Sequence, residues 1–287
     1  MEQFLTDMKN SKELLSLLNK EDAAATVSLP RKRDAAELLD DLLALLFPAH
    51  FRDRIPATED RSAALVRIEQ RLIALIQPLT AGKESNGETI TAWFLDQLPA
   101  IRSVLLKDAE AINAGDPAAH SVDEVILAYP GFAAVAAYRF AHALHRLGVP
   151  ILPRLITEVA HERTAVDIHP GAEIGASFVI DHGTGIVIGE STVIGDHVKI
   201  YQGVTLGALS VEKTMARSKR HPTIEDHVVV YAHAVILGGE TVVGHHSVIG
   251  GNVWLTESVP PHSVVYHERN VIVHDRLAGS GELNWVI

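Results

Sequence analysis

The chain has 287 residues and contains no cysteine. Disulfide bonds, thiolate catalysis and cysteine-ligated metal sites are therefore excluded. Basic residues are also in deficit: 25 lysines and arginines stand against 36 acidic residues, and the formal net charge is −11. A chain this acidic, with no long basic run, is not expected to bind nucleic acid.

Long apolar runs are missing as well. No segment offers the roughly 18 uninterrupted apolar residues that a membrane span requires. Residues 1–7 lack the basic start and the apolar run of a signal peptide. The composition therefore predicts a cytoplasmic protein with no membrane segment, and a length of 287 residues favours two domains.

Histidine, in contrast, is concentrated in the second half of the chain. Of the 16 histidines, 11 lie between His161 and His267. None of them forms an H-x-x-x-H pair on a predicted helix, and His245 and His246 are adjacent on a predicted turn. Because the spacings of known zinc motifs are absent, no metal site is predicted.

The same half of the chain repeats a six-residue pattern. An aliphatic residue opens each repeat, glycine often follows it, and a small or branched residue stands in the fifth place. This period is typical of a parallel β-helix, in which one hexapeptide makes a short strand plus a turn and three make one coil. The aliphatic positions are Ile168, Ile174, Ile180, Ile188, Ile194, Ile200, Leu206, Ile224, Val230, Ile236, Val243, Ile249 and Leu255.

The repeat is interrupted three times. Two extra residues lie within 181–185, the pattern is lost from 207 to 223, and one extra residue falls near Gly238 and Gly239. Breaks in a regular solenoid are loops or bulges, and loops on a rigid scaffold often carry function. We therefore expect a long loop at 207–223 and chemistry near the breaks.

Residues 1–160 have apolar side chains at helical spacing. Ser62 is the candidate cap of one predicted helix, and Pro99 is expected to interrupt another. The fold class is therefore α+β, with an all-helical N-terminal domain followed by a parallel β-helix. The predicted helices cover residues 35–46, 62–76, 91–108, 121–128, 131–148 and 154–162, and the second is expected to bury Leu65, Ile68, Leu72 and Leu75.

Four polar segments coincide with the breaks or with the helical half: Gly115-Asp116-Pro117, Asp167-Ile168-His169-Pro170, Asp181-His182-Gly183-Thr184-Gly185-Ile186 and Arg220-His221-Pro222. Together with the repeat, they resemble the serine O-acetyltransferases of bacteria and plants, which are hexapeptide acyltransferases. Those enzymes carry a helical N-terminal domain, a D-I-H-P entry to the coils, a D-H-x-T-G-I segment and an R-H-P after an extended loop. The match covers about residues 110–265.

The resemblance implies how the chain is organised. The coils are expected to wind left-handed, against the usual crossover rule. A helical oligomerisation and substrate-closing domain would occupy residues 1–160, a left-handed β-helix catalytic domain 161–265 with its loop 207–223, and a C-terminal tail 266–287. The family also implies a homotrimer or a dimer of trimers. Ile287 resembles the terminal isoleucine that enters O-acetylserine sulfhydrylase in this family.

A serine hydroxyl needs a general base when it attacks a thioester. The resemblance makes His182 that base and Asp167 the carboxylate that sets its tautomer. Asp167 lies a little under one coil before His182, which is compatible with a contact. Asp181 adjoins His182, and neighbours in an extended segment point to opposite faces. Asp181 is therefore expected to bind the substrate ammonium rather than the histidine.

An amino-acid substrate also needs a cation for its carboxylate, and Arg220 offers a planar fork. By the resemblance, Arg220 and His221 contact the substrate, Asp116 closes the pocket from the helical domain, and Glu190 supports His221. The tetrahedral intermediate needs a donor for its oxyanion. His221 and a backbone N–H are both open for that role.

Acetyl-coenzyme A is the expected acetyl donor, as a co-substrate, and no permanently bound cofactor is expected. By the resemblance, its pantetheine arm lies in a groove between coils of adjacent subunits, beside the third break. Small residues there would let the backbone approach the ligand, and they are Ala232, Gly250 and Gly251. Basic residues of the long loop are expected to attract the nucleotide phosphates, and they are Lys213, Arg217, Lys219 and Arg220.

The leading interpretation is acetyl transfer to L-serine, giving O-acetyl-L-serine for cysteine biosynthesis, by direct attack with His182 as base. A hexapeptide acyltransferase acting on homoserine or a sugar is the second interpretation, although Arg220 and the acidic residues favour an amino acid. The non-enzymatic alternative is a scaffold protein that works through its C-terminal tail, and it predicts an idle His182.

Overall fold

The computed structural model describes residues 14–16, 29–51, 60–80, 86–209 and 218–268. Within them, helices extend as far as Thr164 and strands begin at Val166. The interpretations placed on Lys213, Arg217 and Ile287 lie outside the described residues.

The helices of the N-terminal half pack around one apolar core. Leu38, Leu42, Ile68 and Phe94 are fully buried in it. No described helix is both long enough and apolar enough to cross a bilayer. The helices are α1 (Lys32–Leu46), α2 (Arg61–Ile76), a short 3₁₀ helix (Gln77–Leu79), α3 (Gly87–Gly115), α4 (Val122–Ala128), α5 (Pro130–Arg146) and α6 (Leu152–Thr164).

Helix α2 begins one residue earlier than expected, and the face that it buries differs from the predicted one. Its cap is Asp60, whose carboxylate accepts the N–H of Ala63 at 2.7 Å, so the assignment of Ser62 as the cap is wrong. Leu65 is 40% exposed and does not belong to the buried face. The residues that α2 buries are Ala64, Ile68, Leu72 and Ile76.

Helix α3 continues through Pro99, so the expected interruption is wrong. Proline removes one backbone hydrogen bond and crowds the preceding turn. Pro99 lies on the exposed face of α3, where water can bond the freed carbonyl. Phe94 and Leu105, on either side of it, are fully buried and hold both halves of the helix against the core.

Short strands make up the second half of the described chain. Strands three apart in sequence pair in parallel, except that the last strand pairs with the one two before it, and the successive coils build three sheets. The strands are β1 (Val166–Ile168), β2 (Glu173–Ile174), β3 (Val179–Asp181), β4 (Ile186–Ile188), β5 (Val193–Ile194), β6 (Lys199–Tyr201), β7 (Thr205–Gly207), β8 (Thr223–Ile224), β9 (Val229–Val230), β10 (Val235–Leu237), β11 (Val242–Val243), β12 (Val248–Ile249), β13 (Trp254–Leu255) and β14 (Val264–Val265).

The three sheets form the left-handed parallel β-helix that the repeat and the resemblance predict. Sheet A has the order β1-β4-β7-β10-β13, sheet B the order β11-β8-β5-β2, and sheet C the order β14-β12-β9-β6-β3. The turns that join consecutive sheets run along three edges of the solenoid. We name these edges the A–B, B–C and C–A corners.

The repeat residues fill the solenoid core. Aliphatic residues such as Ile200, Leu206 and Ile236 are fully buried. The fifth-place residues are buried too, because only a small or branched side chain fits beside a corner. They are Ala172, Thr192, Val198, Val204, Val228, Ala234, Ser247 and Val253.

Strand register locates the breaks in the repeat. Val166 pairs with Ile186, twenty positions on and two more than three hexapeptides span, so the extra residues of 181–185 are absorbed before β4. Val235 pairs with Trp254, which is one position more than three hexapeptides span, and this absorbs the third break. The first and third predicted breaks are therefore confirmed as departures of the register, while residues 210–217 of the predicted loop lie outside the described residues.

The corner turns account for many of the histidines. Five successive B–C turns each place one residue in the left-handed region, with φ between 57° and 60°, at Ser177, His197, His227, His246 and His262. Apart from glycine, Asn, Asp and His tolerate this region best. The four imidazole rings stack along the edge with centroids 4.8, 4.6 and 5.2 Å apart. These histidines serve the corner geometry.

A buried ion pair docks the helices onto the solenoid. Arg139 of α5 donates to the Asp108 carboxylate of α3 at 2.6 and 2.8 Å and to the Gly175 carbonyl at 2.8 Å. Asp108 is fully buried and also accepts the N–H of Phe178. Removing one partner of such a pair costs roughly 3–5 kcal/mol. The pair therefore sets the position of α3 against the first coil.

Helix α5 approaches the solenoid closely because of a glycine. Gly131 lies against the backbone of Ile180 in β3, and a Cβ there would collide with the Ile180 carbonyl. Tyr138, further along α5, donates its hydroxyl to the Ala172 carbonyl at 2.6 Å. These contacts hold the ends of α3 and α5 beside the first C–A corner.

Candidate active site

The C–A corner of the first coil carries an exposed histidine. His182 follows β3 and takes the left-handed position of the turn, with φ of 59°, and its side chain is 73% exposed. Gly203, His233 and Asn252 are left-handed residues of the same corner in the following coils, with φ of 71°, 62° and 59°. A rigid turn therefore presents the His182 ring to solvent.

The His182 ring lies beside Asp181, with Nε2 at 3.7 Å from Oδ1. The expectation that these neighbours point to opposite faces applies to extended backbone. It is wrong here because His182 has left-handed backbone dihedrals. The Asp181 carboxylate is consequently close to the ring and to any ligand beside it.

Lys199 also belongs to this corner. Its Nζ lies 2.8 Å from Asp181 Oδ2 and donates to the Gly115 carbonyl at 3.0 Å, and it sits over the Tyr201 ring. Burial opposes the charge of Lys199, but its bonds to Asp181 and Tyr201 outweigh burial and raise the pKa of Lys199. The side chain neutralises Asp181 and ties the end of α3 to the solenoid.

Asp116 reaches the corner from the helical half. It follows α3, and its carboxylate accepts the Ala118 N–H at 2.8 Å and the Tyr129 hydroxyl at 2.8 Å. These two hydrogen bonds, and more weakly the charges of Lys199 and His182, lower the pKa of Asp116. The hydrogen bond between Tyr129 and Asp116 raises the pKa of Tyr129 to about 12. We call Asp116, Tyr129, Asp181, His182 and Lys199 the His182 cluster.

Asp167 lies outside this cluster. It is on β1, and its carboxylate is 3.5 Å from the guanidinium of Arg154 on α6. Ligand atoms of Asp167, Glu158 and His161 lie within 4.8 Å of one another, and Arg154 supplies positive charge to this group. The structure does not bring Asp167 to His182, so their pairing stays a prediction.

A second polar group lies at the A–B corner, where the long loop returns to β8. Arg220 forms an ion pair with Glu190, in the turn after β4. Burial raises the pKa of Glu190, but the hydrogen bond from Arg220 and nearby positive charge outweigh burial and leave it lowered. Glu190 thus holds Arg220 and acts on His221 through its charge, and its expected support of His221 stays a prediction. We call Glu190, Ser191, Lys219, Arg220 and His221 the His221 cluster.

The His221 ring is enclosed and only 8% exposed. It rests on Gly189, where a Cβ would collide with the ring. Its Nδ1 lies 3.1 Å from the backbone nitrogen of Ser191 and 2.9 Å from the Ser191 Oγ. Burial, and then the charges of Arg220 and Lys219, lower the pKa of His221 to about 4. The ring is therefore neutral near pH 7.

The side chain of Lys219 is hydrogen-bonded to backbone carbonyls of its own chain. Its ammonium donates to the carbonyls of Ser191, His221 and Pro222, and burial lowers its pKa. The expectation that Lys219 attracts nucleotide phosphates stays a prediction. The third break packs against this residue, since a Cβ on Gly239 would collide with the Lys219 carbonyl.

A cavity adjoins the His221 cluster. Its volume is about 470 Å³, and Glu190, Ser191, Lys219 and Arg220 line it together with His145 of α5. Opposite charges face the same space, so the cavity suits a small polar molecule.

The residues expected to line a coenzyme groove follow the C–A corner. The Asn252 N–H donates to the Ala232 carbonyl at 2.9 Å, and a Cβ on Gly251 would lie 3.2 Å from that carbonyl. Gly250 precedes them at the end of β12. The three predicted residues thus lie on the edge that carries His182, and away from the third break, which is at the A–B corner.

The two clusters lie at opposite ends of β4. His182 precedes this strand and Glu190 follows it. Strands rise about 3.3 Å per residue, so roughly 15 Å of sheet separates the clusters. A single chain does not bring His182 to Arg220.

Sequence reasoning missed Tyr129, Ser191 and Lys199. Ser191 is 30 residues from His221, and Lys199 is 84 residues from Gly115, so no local pattern links them. Register offers the one signal that was available. With the two extra residues counted, β3 pairs with β6, and Lys199 therefore lies on the strand next to the one that carries Asp181.

No protein-family model matches the chain. It is 45% identical over 260 residues to a serine acetyltransferase, plasmid, of Synechococcus elongatus, a match that covers 83% of this chain and 81% of that one. It resembles the structure of Entamoeba histolytica serine acetyltransferase 1 in complex with L-cysteine, with a TM-score of 0.72, 36% identity and coverage of 80% and 86%. A serine acetyltransferase in complex with CoA is similar at a TM-score of 0.57 and 27% identity, covering 81% and 95%. At 45% identity over 83% of its length, the chain belongs to the serine acetyltransferases, which are acyltransferase enzymes.

Proposed function

We propose that this chain transfers the acetyl group of acetyl-coenzyme A to the hydroxyl of L-serine, giving O-acetyl-L-serine in the first step of cysteine biosynthesis. The observation that carries the proposal is the His182 cluster. An exposed imidazole stands on a rigid corner beside the carboxylates of Asp116 and Asp181. A base next to two anions suits a substrate that carries both a hydroxyl and an ammonium group.

His182 acts as the general base. It takes the proton of the serine hydroxyl, and the oxygen attacks the thioester carbonyl carbon to give a tetrahedral intermediate. Collapse of the intermediate breaks the carbon–sulfur bond. The imidazolium then returns its proton to the departing thiolate, which leaves as coenzyme A. The protein itself is never acetylated.

Asp167 is the proposed carboxylate partner of His182 during the reaction. The segments that carry the two residues adjoin, because the Gly185 N–H donates to the Ala165 carbonyl at 2.8 Å. His182 is exposed and free to rotate, so its ring can turn from Asp181 toward β1. An oriented carboxylate would set the tautomer and stabilise the imidazolium.

Asp181 and Asp116 bind the substrate ammonium, while Arg220 and His221 bind its carboxylate. Asp181 already holds one ammonium group, that of Lys199 at 2.8 Å, so its oxygens are placed for this chemistry. Glu190 holds the guanidinium of Arg220 in the orientation that the carboxylate would meet.

Acetyl-coenzyme A lies along the C–A corner. Ala232, Gly250 and Gly251 carry little or no side chain, so the backbone there is accessible to the pantetheine arm. Because His182 lies on the same edge in the first coil, a donor lying along this edge would bring its acetyl end to the base. The complex of a structural neighbour with CoA supports acetyl-coenzyme A as the co-substrate.

The active site is shared between two copies of the chain. The His182 and His221 clusters lie at different corners, so they can meet only across an interface between subunits. The outer face of sheet A, between those corners, exposes Val187 at 40% and Trp254 at 65%, and exposed apolar groups favour self-association. A homotrimer, or a dimer of trimers joined through the helices, satisfies this geometry.

The C-terminal Ile287 is the proposed contact to an O-acetylserine sulfhydrylase. The family resemblance supports this assignment, since a terminal carboxylate with an apolar side chain is a recognisable ligand. Pull-down of a sulfhydrylase by the full chain, compared with a chain that lacks residue 287, tests it. Equal capture by both chains would contradict it.

Release of free thiol from acetyl-coenzyme A tests the activity directly. Serine, homoserine and a set of sugars are offered to the full chain, and turnover is expected with serine. No turnover with serine would contradict the proposal, and faster turnover with homoserine or a sugar would reassign the substrate. Millimolar cysteine is expected to inhibit, because its thiol replaces the hydroxyl in the same pocket.

Mixing two inactive variants tests whether the site is shared. H182N removes the base and R220M removes the carboxylate ligand. After subunit exchange, a site is intact where an R220M chain supplies His182 and an H182N chain supplies Arg220. Random mixing makes about one quarter of all sites intact. Recovery of activity on mixing supports a site between subunits, whereas a mixture as inactive as its components places the site within one chain.

A further inference from the structure

The His221 ring is oriented by Ser191, a residue to which the proposed mechanism gives no part. We propose that Ser191 holds His221 as a neutral hydrogen-bond donor, with its proton on Nε2, so that His221 neither takes nor gives a proton during the reaction. The tautomer is inferred from the hydrogen bonds of the ring alone. The identity of the ligand that Nε2 would contact rests on the proposed function.

The backbone N–H of Ser191 decides the state of Nδ1. Its nitrogen lies 3.1 Å from His221 Nδ1, and a backbone N–H can only donate. A proton on Nδ1 would face the N–H of Ser191, so two donors would meet with no acceptor between them. Nδ1 must therefore offer its lone pair, which excludes both the Nδ1–H tautomer and the doubly protonated imidazolium. The proton of the neutral ring is left on Nε2.

The Ser191 hydroxyl reinforces this state. A hydroxyl has one hydrogen to donate and two lone pairs to accept with. Its oxygen accepts the N–H of Arg220 at 2.9 Å and that of His221 at 3.1 Å, which uses both lone pairs. The remaining hydrogen is donated to His221 Nδ1, 2.9 Å away. Every hydrogen-bonding capacity of the side chain is satisfied by two consecutive residues.

The charges around the ring oppose a third positive charge. Lys219 and Arg220 flank His221, and His169 adds to their effect, whereas Glu190 acts the other way. With burial, the balance lowers the pKa of His221 to about 4. This direction agrees with the tautomer that the hydrogen bonds require.

Nε2 is the ring atom left for a ligand. Both hydrogen bonds of the His221 ring within the described residues are made by Nδ1. The ring lies against Gly189, with Nε2 among the atoms nearest that glycine. Because Ser191 also holds the backbone of Arg220, one side chain sets the position of two proposed substrate contacts. Ser191 is therefore a positioning residue.

A neutral donor suits an oxygen that carries or gains negative charge. It stabilises that charge without transferring a proton and without reorganising. His182 has the opposite requirement, since a base must change its protonation state in each turnover. By keeping His221 neutral, Ser191 leaves proton transfer in the proposed site to His182.

Nitrogen NMR of the full chain, labelled with ¹⁵N in its histidine rings, tests the inference without any substrate. The His221 signals are those lost in H221N. The expected result is an unprotonated Nδ1 and a protonated Nε2 from pH 5 to pH 8. A proton on Nδ1 within this range, in either the neutral or the cationic ring, would overturn the proposal. This readout is independent of whether serine is the substrate.

Variants of Ser191 separate positioning from a merely structural role. S191A loses the hydroxyl donor but keeps the backbone N–H, so its His221 is expected to stay neutral with a shifted Nδ1 signal, and serine turnover should fall about ten- to a hundredfold. S191T keeps the hydroxyl and should restore both the NMR spectrum and the rate. A rise in the KM for serine would place the Nε2 contact on the carboxylate, and a fall in kcat would place it on the oxyanion. An S191A chain with the wild-type His221 spectrum and rate would contradict the proposal.

Discussion

The two histidines of the proposed site occupy opposite environments. His182 is 73% exposed and has a carboxylate at 3.7 Å, while His221 is 8% exposed and has lysine and arginine beside it. The first stands on an open left-handed corner, and the second is enclosed by a turn and a returning loop. One ring is open to solvent, and the other is hydrogen-bonded to Ser191.

This difference shows how one scaffold can assign two tasks to one residue type. In the proposed reaction His182 becomes charged transiently, and it has solvent access and a carboxylate nearby. Desolvation and neighbouring cations keep His221 neutral. Each task depends on the corner at which the residue lies. Exchanging or weakening these environments should therefore change activity in different ways at the two ends of β4.

The largest expected effect comes from removing the exposed histidine. In H182N the left-handed backbone is retained, because Asn tolerates positive φ as well as His does. Loss of a general base lowers the rate about 10²- to 10⁴-fold, measured by thiol release with serine. H227N, at the left-handed position of a B–C corner, is the matched control and should keep the wild-type rate. Equal effects of both variants would show that only the corner geometry matters.

The two carboxylates proposed near His182 should separate kinetically. D167N is expected to lower kcat about tenfold or more, since it removes the proposed partner of the imidazolium. D181N should mainly raise the KM for serine, because it removes a ligand of the ammonium group. Steady-state kinetics over a range of serine concentrations distinguish them. The reverse pattern would make Asp181 the partner of His182.

The enclosed histidine should respond to a change in the glycine beneath it. In G189A the new Cβ collides with the His221 ring, and overpacking of this kind costs roughly 1–3 kcal/mol. We expect the ring to leave its bonds to Ser191 and activity to fall about tenfold. If the effect passes through the ring, G189A added to H221Q should cause little further loss. Additive losses would mean that the glycine acts by another route.

Lys199 should contribute to the first cluster more modestly. K199M removes the partner of Asp181 and the donor to the Gly115 carbonyl, and this should lower the free energy of unfolding by about 1 kcal/mol and raise the KM for serine a few-fold. K32M, which breaks the exposed pair with Glu162, is the control and should be near neutral. Thermal unfolding and serine kinetics report the two effects, and an unchanged KM would remove Lys199 from the site.

Acidification should act on stability through the enclosed histidine. The pKa of His221 is about 4 when folded, against an ordinary value of roughly 6.5, so the unfolded chain binds a proton first as pH falls. The stability that this group contributes is complete above about pH 6.5 and is lost as pH falls toward 4. Unfolding temperatures between pH 7.5 and pH 4.5 measure the loss. H221Q should be less sensitive to acid than the wild type, and equal sensitivity would contradict the assignment.

The parts that sequence predicted are those with local causes. The six-residue period identified the β-helix and its core, because every coil repeats the same burial pattern. The breaks were located for the same reason. The interruption at Pro99 was wrong because packing on both sides outweighs one lost hydrogen bond. The cap at Ser62 was wrong because Asp60 supplies a carboxylate two residues earlier.

The site was predicted less completely than the fold. His182, Asp116 and Arg220 were identified by resemblance, and the structure places them at two corners. The support of His221 was assigned to Glu190, and the hydrogen bonds to its ring come from Ser191. The carboxylate beside His182 is Asp181, since a left-handed residue cancels the alternation expected of a strand.

By itself the sequence determined that this chain is a helical region followed by a solenoid, and at which breaks its reactive residues stand. A six-residue period needs only neighbours along the chain to be recognised. Only the tertiary structure decided which side chains meet. Lys199 contacts Asp181 through strand register, and Ser191 contacts His221 across a loop. The pKa of His221 is lowered because burial and neighbouring cations are properties of the folded corner.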